Sequence, residues 1–207
     1  HDKFLTILEL QKHGIDIPKT YVASTISSAK KILETVNYPV MVKIPSGTHG
    51  KGVMVADSYA AASSVLDTLE VFKQPYIIQD YVETNATDIR AIVLGNKVVA
   101  AMRRKASNGE LRANIHMGGK GTPVELDYNT ERIAVKAANA VGAEICAIDI
   151  LESIKPKVIE VNLSPGLRGI TSVTKKNVAG KVAKFLSERT KEFTETKKKE
   201  NIKEIIG

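Results

Sequence analysis

The stretch from Ile145 to Ile170, ICAIDILESIKPKVIEVNLSPGLRGI, places three hard oxygen donors in otherwise apolar runs: Asp149, Glu160 and Asn162. Two carboxylates and an amide carbonyl suit Mg²⁺ or Mn²⁺ rather than zinc, which takes imidazole and thiolate. Such an ion keeps several waters and is usually shared with substrate phosphates, so few protein ligands are enough. The same residues have a plainer reading. Asp149 and Glu160 can pair with Lys or Arg across a sheet, and Asn162 can cap the turn before Ser164-Pro165-Gly166. Residue type alone leaves both readings open.

The elements that must position these donors are legible as patterns. Ala147–Leu151 and Lys157–Val161 read as short buried strands, rich in aliphatic and β-branched residues. Polar Glu152–Pro156 joins them as a hairpin. Side chains alternate along a strand, so Glu160 and Asn162 share a face, and Asp149 can lie opposite them. Upstream, Tyr38–Ile44 reads as a strand with Lys43 near its end. It runs into Pro45–Val53, where Gly47, Gly50 and Gly52 let backbone N–H groups approach an anion. This is neither a Walker A loop nor the dinucleotide fingerprint. Tyr76–Val82 is a further buried strand ending in polar residues. Asp88–Leu94 and Lys97–Met102 form a hairpin about Gly95-Asn96. Arg103, Arg104 and Lys105 then read as a solvated strand end, or as a receiver for an anionic substrate. For Arg104 the expected role is solvation or pairing with Glu83 and Glu110; Arg90 is expected on an acidic group or a phosphate. Ser107–Thr122 is too long and Gly-rich for an ordinary turn. Amphipathic helices are expected over Lys3–His13, Ser27–Val36, Ser58–Phe72, Asn129–Val141 and Thr174–Arg189. The fold class is α+β.

The 207 residues, 43% hydrophobic and 26% charged, suffice for one large or two small globular domains. No apolar run approaches membrane-spanning length, no signal peptide is visible, and the single Cys146 excludes an intrachain disulfide. These features point to a cytoplasmic protein without membrane attachment. Cys146 lies in an apolar run and reads as an inert buried thiol. The net charge of +7 is unevenly spread: from Lys175 onward the chain carries a net +5, the rest only +2. With aromatics at 5% and no Trp, a base-stacking platform is not expected.

Taken in order, Lys43, the glycine loop, QDYV, DIR, LRAN, AIDIL and EVNLSPG resemble the RimK-type ATP-grasp ligases, over roughly residues 2 to 189. The resemblance implies two α+β subdomains gripping ATP between them, with boundaries at residues 1–81 and 82–190, and a charged tail over 191–207. Relatives carry a further N-terminal domain, so the chain is expected to be a fragment. Asp149, Glu160 and Asn162 become the expected Mg²⁺ or Mn²⁺ ligands. Lys43, Gly47, Gly50, Gly52, Arg112 and Asn114 are expected on the phosphates, with Lys43 and Arg112 catalytic. Asp80 and Tyr81 are expected at the adenine and Asp88 near the ribose. Arg103 and Arg168 are the candidates for an anionic amino acid. The implied activity is ATP-dependent carboxylate–amine ligation through an acylphosphate, adding glutamate to a protein C-terminus or a small carboxylate, in a homo-oligomer. A nucleotide-binding regulatory module, or a ribosome- or nucleic-acid-associated protein using the basic tail, are the alternatives.

Overall fold

A computed structural model of the protein describes residues 2–45, 52–106 and 119–206, with side chains as far as residue 197. The expected ligands Gly47, Gly50, Arg112 and Asn114 lie outside the described residues, as does most of the glycine loop.

The first helix, α1 (Lys3–Lys12), begins where Asp2 Oδ1 accepts hydrogen bonds from the N–H groups of Phe4 and Leu5, at 2.8 and 3.1 Å. This satisfies donors that a helix start leaves unpaired. It ends at Gly14, whose φ of 62° lets Ile15 N–H return to Leu10 C=O. Leu10 and Ile15 are thereby carried together into the core. The chain continues through β1 (Thr20–Tyr21), α2 (Ile26–Leu33), β2 (Val40–Lys43), β3 (Val53–Ala56), α3 (Tyr59–Val71) and β4 (Ile77–Asp80). Thr25 and Ser58 cap α2 and α3. These strands form an antiparallel sheet in the order β1-β4-β2-β3. Ala29, Leu33, Ala62 and Leu66 on the helices pack against Val40, Val42 and Ile78 of this sheet.

The second sheet is built from β5 (Thr87–Leu94), β6 (Lys97–Lys105), β7 (Lys120–Pro123), β8 (Ile145–Leu151) and β9 (Lys157–Asn162), with α4 (Tyr128–Ala140) preceding β8. Its order is β7-β6-β5-β8-β9, with all neighbours antiparallel. Both faces are covered. Ile89, Ala91, Val93, Cys146, Ile148, Val158 and Val161 face α4 and α1. The alanines Ala134, Ala137 and Ala138 let α4 lie close to the strands. The other face sends Ile92, Leu94, Ala100, Met102 and Ala147 toward α5 (Arg168–Thr174) and the start of α6 (Val178–Ile206). Each large aliphatic side chain so buried contributes ~1.5–3 kcal/mol.

Three details differ from the patterns. The strand expected to stop at Met102 runs on to Lys105, and its partner β7 occupies the end of the expected long loop. The helix expected over Thr174–Arg189 starts only at Val178 and runs on to Ile206, and it is preceded by an unexpected short helix, α5, that ends at Lys175 with a φ of 56°. Finally α1, first in sequence, packs on α4 and β9 of the second sheet.

Candidate functional site

Lys43 closes β2, and its Nζ donates to Gln79 Oε1 on the neighbouring strand. Gln79 is itself buried and donates onward to Thr20 Oγ1 at 2.8 Å, so the lysine sits on a braced acceptor. Burial lowers the Lys43 pKa to about 8; Glu160 works against this and Lys3 adds to it. Glu160 belongs to the second sheet and Lys43 to the first, so the two sheets meet here. Lys3 comes from α1, with Nζ 3.9 Å from Glu160 Oε1. Sequence patterns missed Lys3, because an early helical lysine carries no signal of what stands beside it.

The hairpin β8–β9 places Asp149 directly opposite Glu160. The next paired residues are Ile150 and Val158, so Ile159 is an extra residue that bulges the strand. Without that bulge, alternation from Val158 would turn Glu160 to the α4 side. With it, Asp149, Glu160 and Asn162 share one face. Asn162 Oδ1 accepts from Ser164 N–H at 3.0 Å, which fixes the amide.

On this same face lies a buried network of charges. Arg90 binds Asp149 with both ends of its fork, Nε to Oδ1 at 2.8 Å and Nη2 to Oδ2 at 2.7 Å. Arg104 bridges two carboxylates: its Nε and Nη2 reach Asp88 at 2.6 and 2.8 Å, and Nη2 also lies 2.9 Å from Asp149 Oδ2. Asp88, Arg104 and Asp149 are all under 10% exposed. Two acids and two guanidiniums leave the network neutral, which is what permits burial. Burial opposes ionisation of Asp149, but Arg104 and then Arg90 outweigh it and hold the carboxyl below the usual range. Asp88 has one guanidinium instead of two, and there burial pushes the carboxyl up despite Arg104. The structure corrects the expectation for Arg104: it is not solvated but buried on Asp88 and Asp149; Glu110 lies outside the described residues.

Arg103 is also placed differently from expectation. Adjacent strand residues point to opposite faces, so it leaves the sheet away from Asp149. There it binds Glu152 in a two-pronged pair, at 2.5 and 2.7 Å. Arg168 is exposed at the first turn of α5. Asp80 and Tyr81 stand where β4 gives way to the connection into the second sheet. Asp80 Oδ1 is buried with no hydrogen-bond partner among the described residues, an acceptor in need of a donor. Gly52 has a φ of 75°, and its carbonyl accepts from Ile44 N–H at 2.7 Å, fixing the C-terminal foot of the glycine loop. Cys146 is fully buried, and burial raises its thiol to about 11, as an inert thiol requires.

A family model described as a RimK-like ATP-grasp domain matches residues 1–186. The chain belongs to the RimK-like ATP-grasp family. Among curated relatives, it is 37% identical over 199 residues to a probable alpha-L-glutamate ligase of Cellvibrio japonicus, covering 95% of this chain and 66% of that protein. A probable alpha-L-glutamate ligase of Legionella pneumophila is 38% identical over 193 residues, covering 92% and 64%. The chain thus spans about two thirds of the length of these relatives. The ATP-grasp fold is shared with solved structures. The ATP-grasp ligase PsnB, complexed with a phosphomimetic variant of its minimal precursor, Mg and ADP, superposes with a TM-score of 0.72 at 17% identity, covering 91% of this chain and 59% of that one. A RimK domain ATP-grasp protein of Sphaerobacter thermophilus gives 0.69 at 17% identity, covering 89% and 66%.

The donor set of this RimK-like site fits a hard divalent ion. Among the described residues no three His, Cys, Asp or Glu side chains gather closely enough to hold one. An amide carbonyl such as that of Asn162 is a donor type that Mg²⁺ and Mn²⁺ accept beside carboxylates.

Proposed function

We propose that this chain is the nucleotide- and metal-binding part of an ATP-dependent carboxylate–amine ligase that adds glutamate to a protein C-terminus or a small carboxylate. The observation that carries the reading is the meeting of Lys43 on one sheet with Glu160 on the other. The foot of a glycine loop, a half-buried cation and three oxygen donors would then line one cleft. In the proposed reaction a substrate carboxylate attacks the γ-phosphorus of ATP and ADP leaves. The amino group of glutamate then attacks the acylphosphate, loses a proton and expels phosphate. Mg²⁺ or Mn²⁺, when bound at Asp149, Glu160 and Asn162, would offset the phosphate charge.

The other roles belong to the chain itself. Lys43, positioned by Gln79, would hold phosphate oxygens, with Arg112 beside the γ-phosphate and Gly47, Gly50, Gly52 and Asn114 around the polyphosphate. Asp80 Oδ1 would accept from the adenine amino group, with Tyr81 lining the base and Asp88 near the ribose. Arg168 is the first candidate for the glutamate carboxylates, since Arg103 would have to release Glu152 to take part. The site needs no covalent nucleophile, which agrees with a buried Cys146. The protein is proposed to act in the cytoplasm as a homo-oligomer; among the described residues no helix is long and apolar enough to cross a membrane.

The test is phosphate release from ATP with glutamate and candidate acceptors, followed by mass spectrometry for an added glutamate. Glu160→Ala should abolish turnover while the protein keeps its circular dichroism spectrum. Turnover near the wild-type rate in that variant, or addition of a neutral or cationic amino acid in preference to glutamate, would refute the assignment.

A further inference from the structure

The hydrogen bonds that lead to Lys43 have a direction, and it originates at a side chain on the edge strand β1. Thr20 Oγ1 donates to the carbonyl of Pro18 at 2.8 Å. A carbonyl can only accept, so the single hydroxyl proton of Thr20 is committed there and the oxygen is left to accept. Gln79 Nε2 fills that position, also at 2.8 Å. The other end of the amide, Oε1, therefore faces Lys43, whose ammonium can only donate. Turning the amide over would set donor against donor at the lysine and lone pair against lone pair at Thr20. Gln79 is 2% exposed, so water has little access to repair either clash. The start of this chain of bonds is itself held in place. Thr20 lies directly across from Gln79 in the β1–β4 pairing, and Pro18 is buried with its φ fixed by the ring. Pro18 also stands between two anchors: Asp16 C=O accepts from Val158 N–H at 2.9 Å, and Lys19 C=O accepts from Asp80 N–H at 2.8 Å. Val158 belongs to β9, the strand of Glu160, and Asp80 follows Gln79 on β4. Residues 16–20 thus tie the strand of a metal-donor candidate to the strand whose glutamine holds Lys43.

We infer that Thr20 is a positioning residue for the nucleotide: by fixing which end of the Gln79 amide faces Lys43, its hydroxyl holds the lysine ammonium where it meets the phosphates. This rests on the ATP reading above and extends the site to a strand of two residues that touches no part of the proposed ligand set directly. A threonine on an edge strand is ordinarily there for its β-branched shape, with its hydroxyl left to water. Here the hydroxyl donates to one protein group and accepts from another, and the acceptor role is the one that the lysine depends on.

The test is the affinity for a non-hydrolysable ATP analogue, measured by calorimetry in the presence of Mg²⁺. Thr20→Val keeps the shape of the side chain and removes the acceptor, so the amide is free to turn its Nε2 toward the lysine. It should weaken binding at least about fivefold. Thr20→Ser, which keeps the hydroxyl, should bind within about twofold of the wild type. Gln79→Leu reads the same link from its other end, and should lose at least as much affinity as Thr20→Val, including where that variant fails to fold. In the Gln79→Leu background Thr20→Val should have no further effect, because there is no amide left to orient. A merely structural threonine would cost the same factor in both backgrounds. Wild-type affinity in Thr20→Val or in Gln79→Leu, an equal loss in both backgrounds, or no recovery in Thr20→Ser overturns the inference. If the wild type itself does not bind the analogue, the underlying ATP reading falls, and this inference with it.

Discussion

Lys43 is half-buried between a braced glutamine and a carboxylate, with its pKa brought down to about 8 by burial. Because the folded value lies below the unfolded one, the unfolded chain holds the extra proton between about pH 8 and 10.5. Stability is therefore penalised below about pH 8 and recovers as pH rises through that window. Nucleotide binding has the opposite slope. A bound phosphate favours the charged amine, so ATP should bind with proton uptake, and its affinity should fall above pH 8 by up to about a decade per pH unit. Calorimetry in buffers of different ionisation enthalpy would read the uptake directly. Lys43→Arg, which cannot deprotonate in this range, should flatten the slope whatever it does to the absolute affinity. A wild-type affinity independent of pH from 7 to 9.5 would remove Lys43 from the phosphate contacts. The chemistry of this residue was legible from its place at a strand end before glycines, but its pKa was not, since Gln79 and Glu160 arrive from strands distant in sequence. Asp149 repeats the lesson. Its type and spacing were legible, whereas its partner Arg90 comes from 59 residues away. Arg104 was misread because the strand was ended at Met102; extending it to Lys105 sends Arg103 and Arg104 to opposite faces and buries the second.

The hairpins illustrate what periodicity can and cannot deliver. Strands β5, β8 and β9 and the turn at Gly95 were visible from alternation and turn residues. The bulge at Ile159 was not, because an inserted residue in an apolar run looks like one more strand position. The end of α5 at Lys175 was hidden for a related reason, since a lysine at positive φ announces nothing in sequence. Gly95 itself offers a test at this scale. Its φ is 56°, and a Cβ added there would stand 3.1 Å from the ring of Phe185 on α6. The turn thus carries two constraints: a left-handed backbone and a close approach of helix to hairpin. Gly95→Ala should cost about 1–2 kcal/mol for the backbone alone, and more if the ring is held in place. Adding Phe185→Leu should recover the steric part only, so a double-mutant cycle in urea should show coupling between the two positions. A Gly95→Ala variant within about 0.5 kcal/mol of the wild type would mean that the turn relaxes freely.

At the scale of the molecule, two antiparallel sheets bring their strand ends together around Lys43, Glu160 and Asp149. Helix α1 begins the chain yet packs on the second sheet, so its Lys3 also reaches this junction. The far end of the chain is organised differently. Helix α6 packs through Val178, Val182 and Phe185, but from Leu186 to Lys197 every side chain is exposed. There it is laced by its own charges, Lys184 with Glu188 and Arg189 with Glu192. Such pairs contribute only a few tenths of a kcal/mol each and support a solvated helix rather than a core. The charge of this helix is also not where a nucleic-acid tail would want it. Residues 191–207 hold five lysines and four glutamates, so most of the basic excess lies before residue 191, on the packed half. Deleting residues 191–207 should therefore shift Tm by less than about 2 °C and leave ATP-dependent phosphate release at its wild-type rate. Affinity for an unrelated DNA duplex should be weak, and its dependence on salt should barely change with the deletion, because only one net charge is lost. Salt-dependent nucleic-acid binding that is strong in the whole chain and vanishes on truncation would instead make the exposed helix a binding arm and favour the ribosome-associated reading.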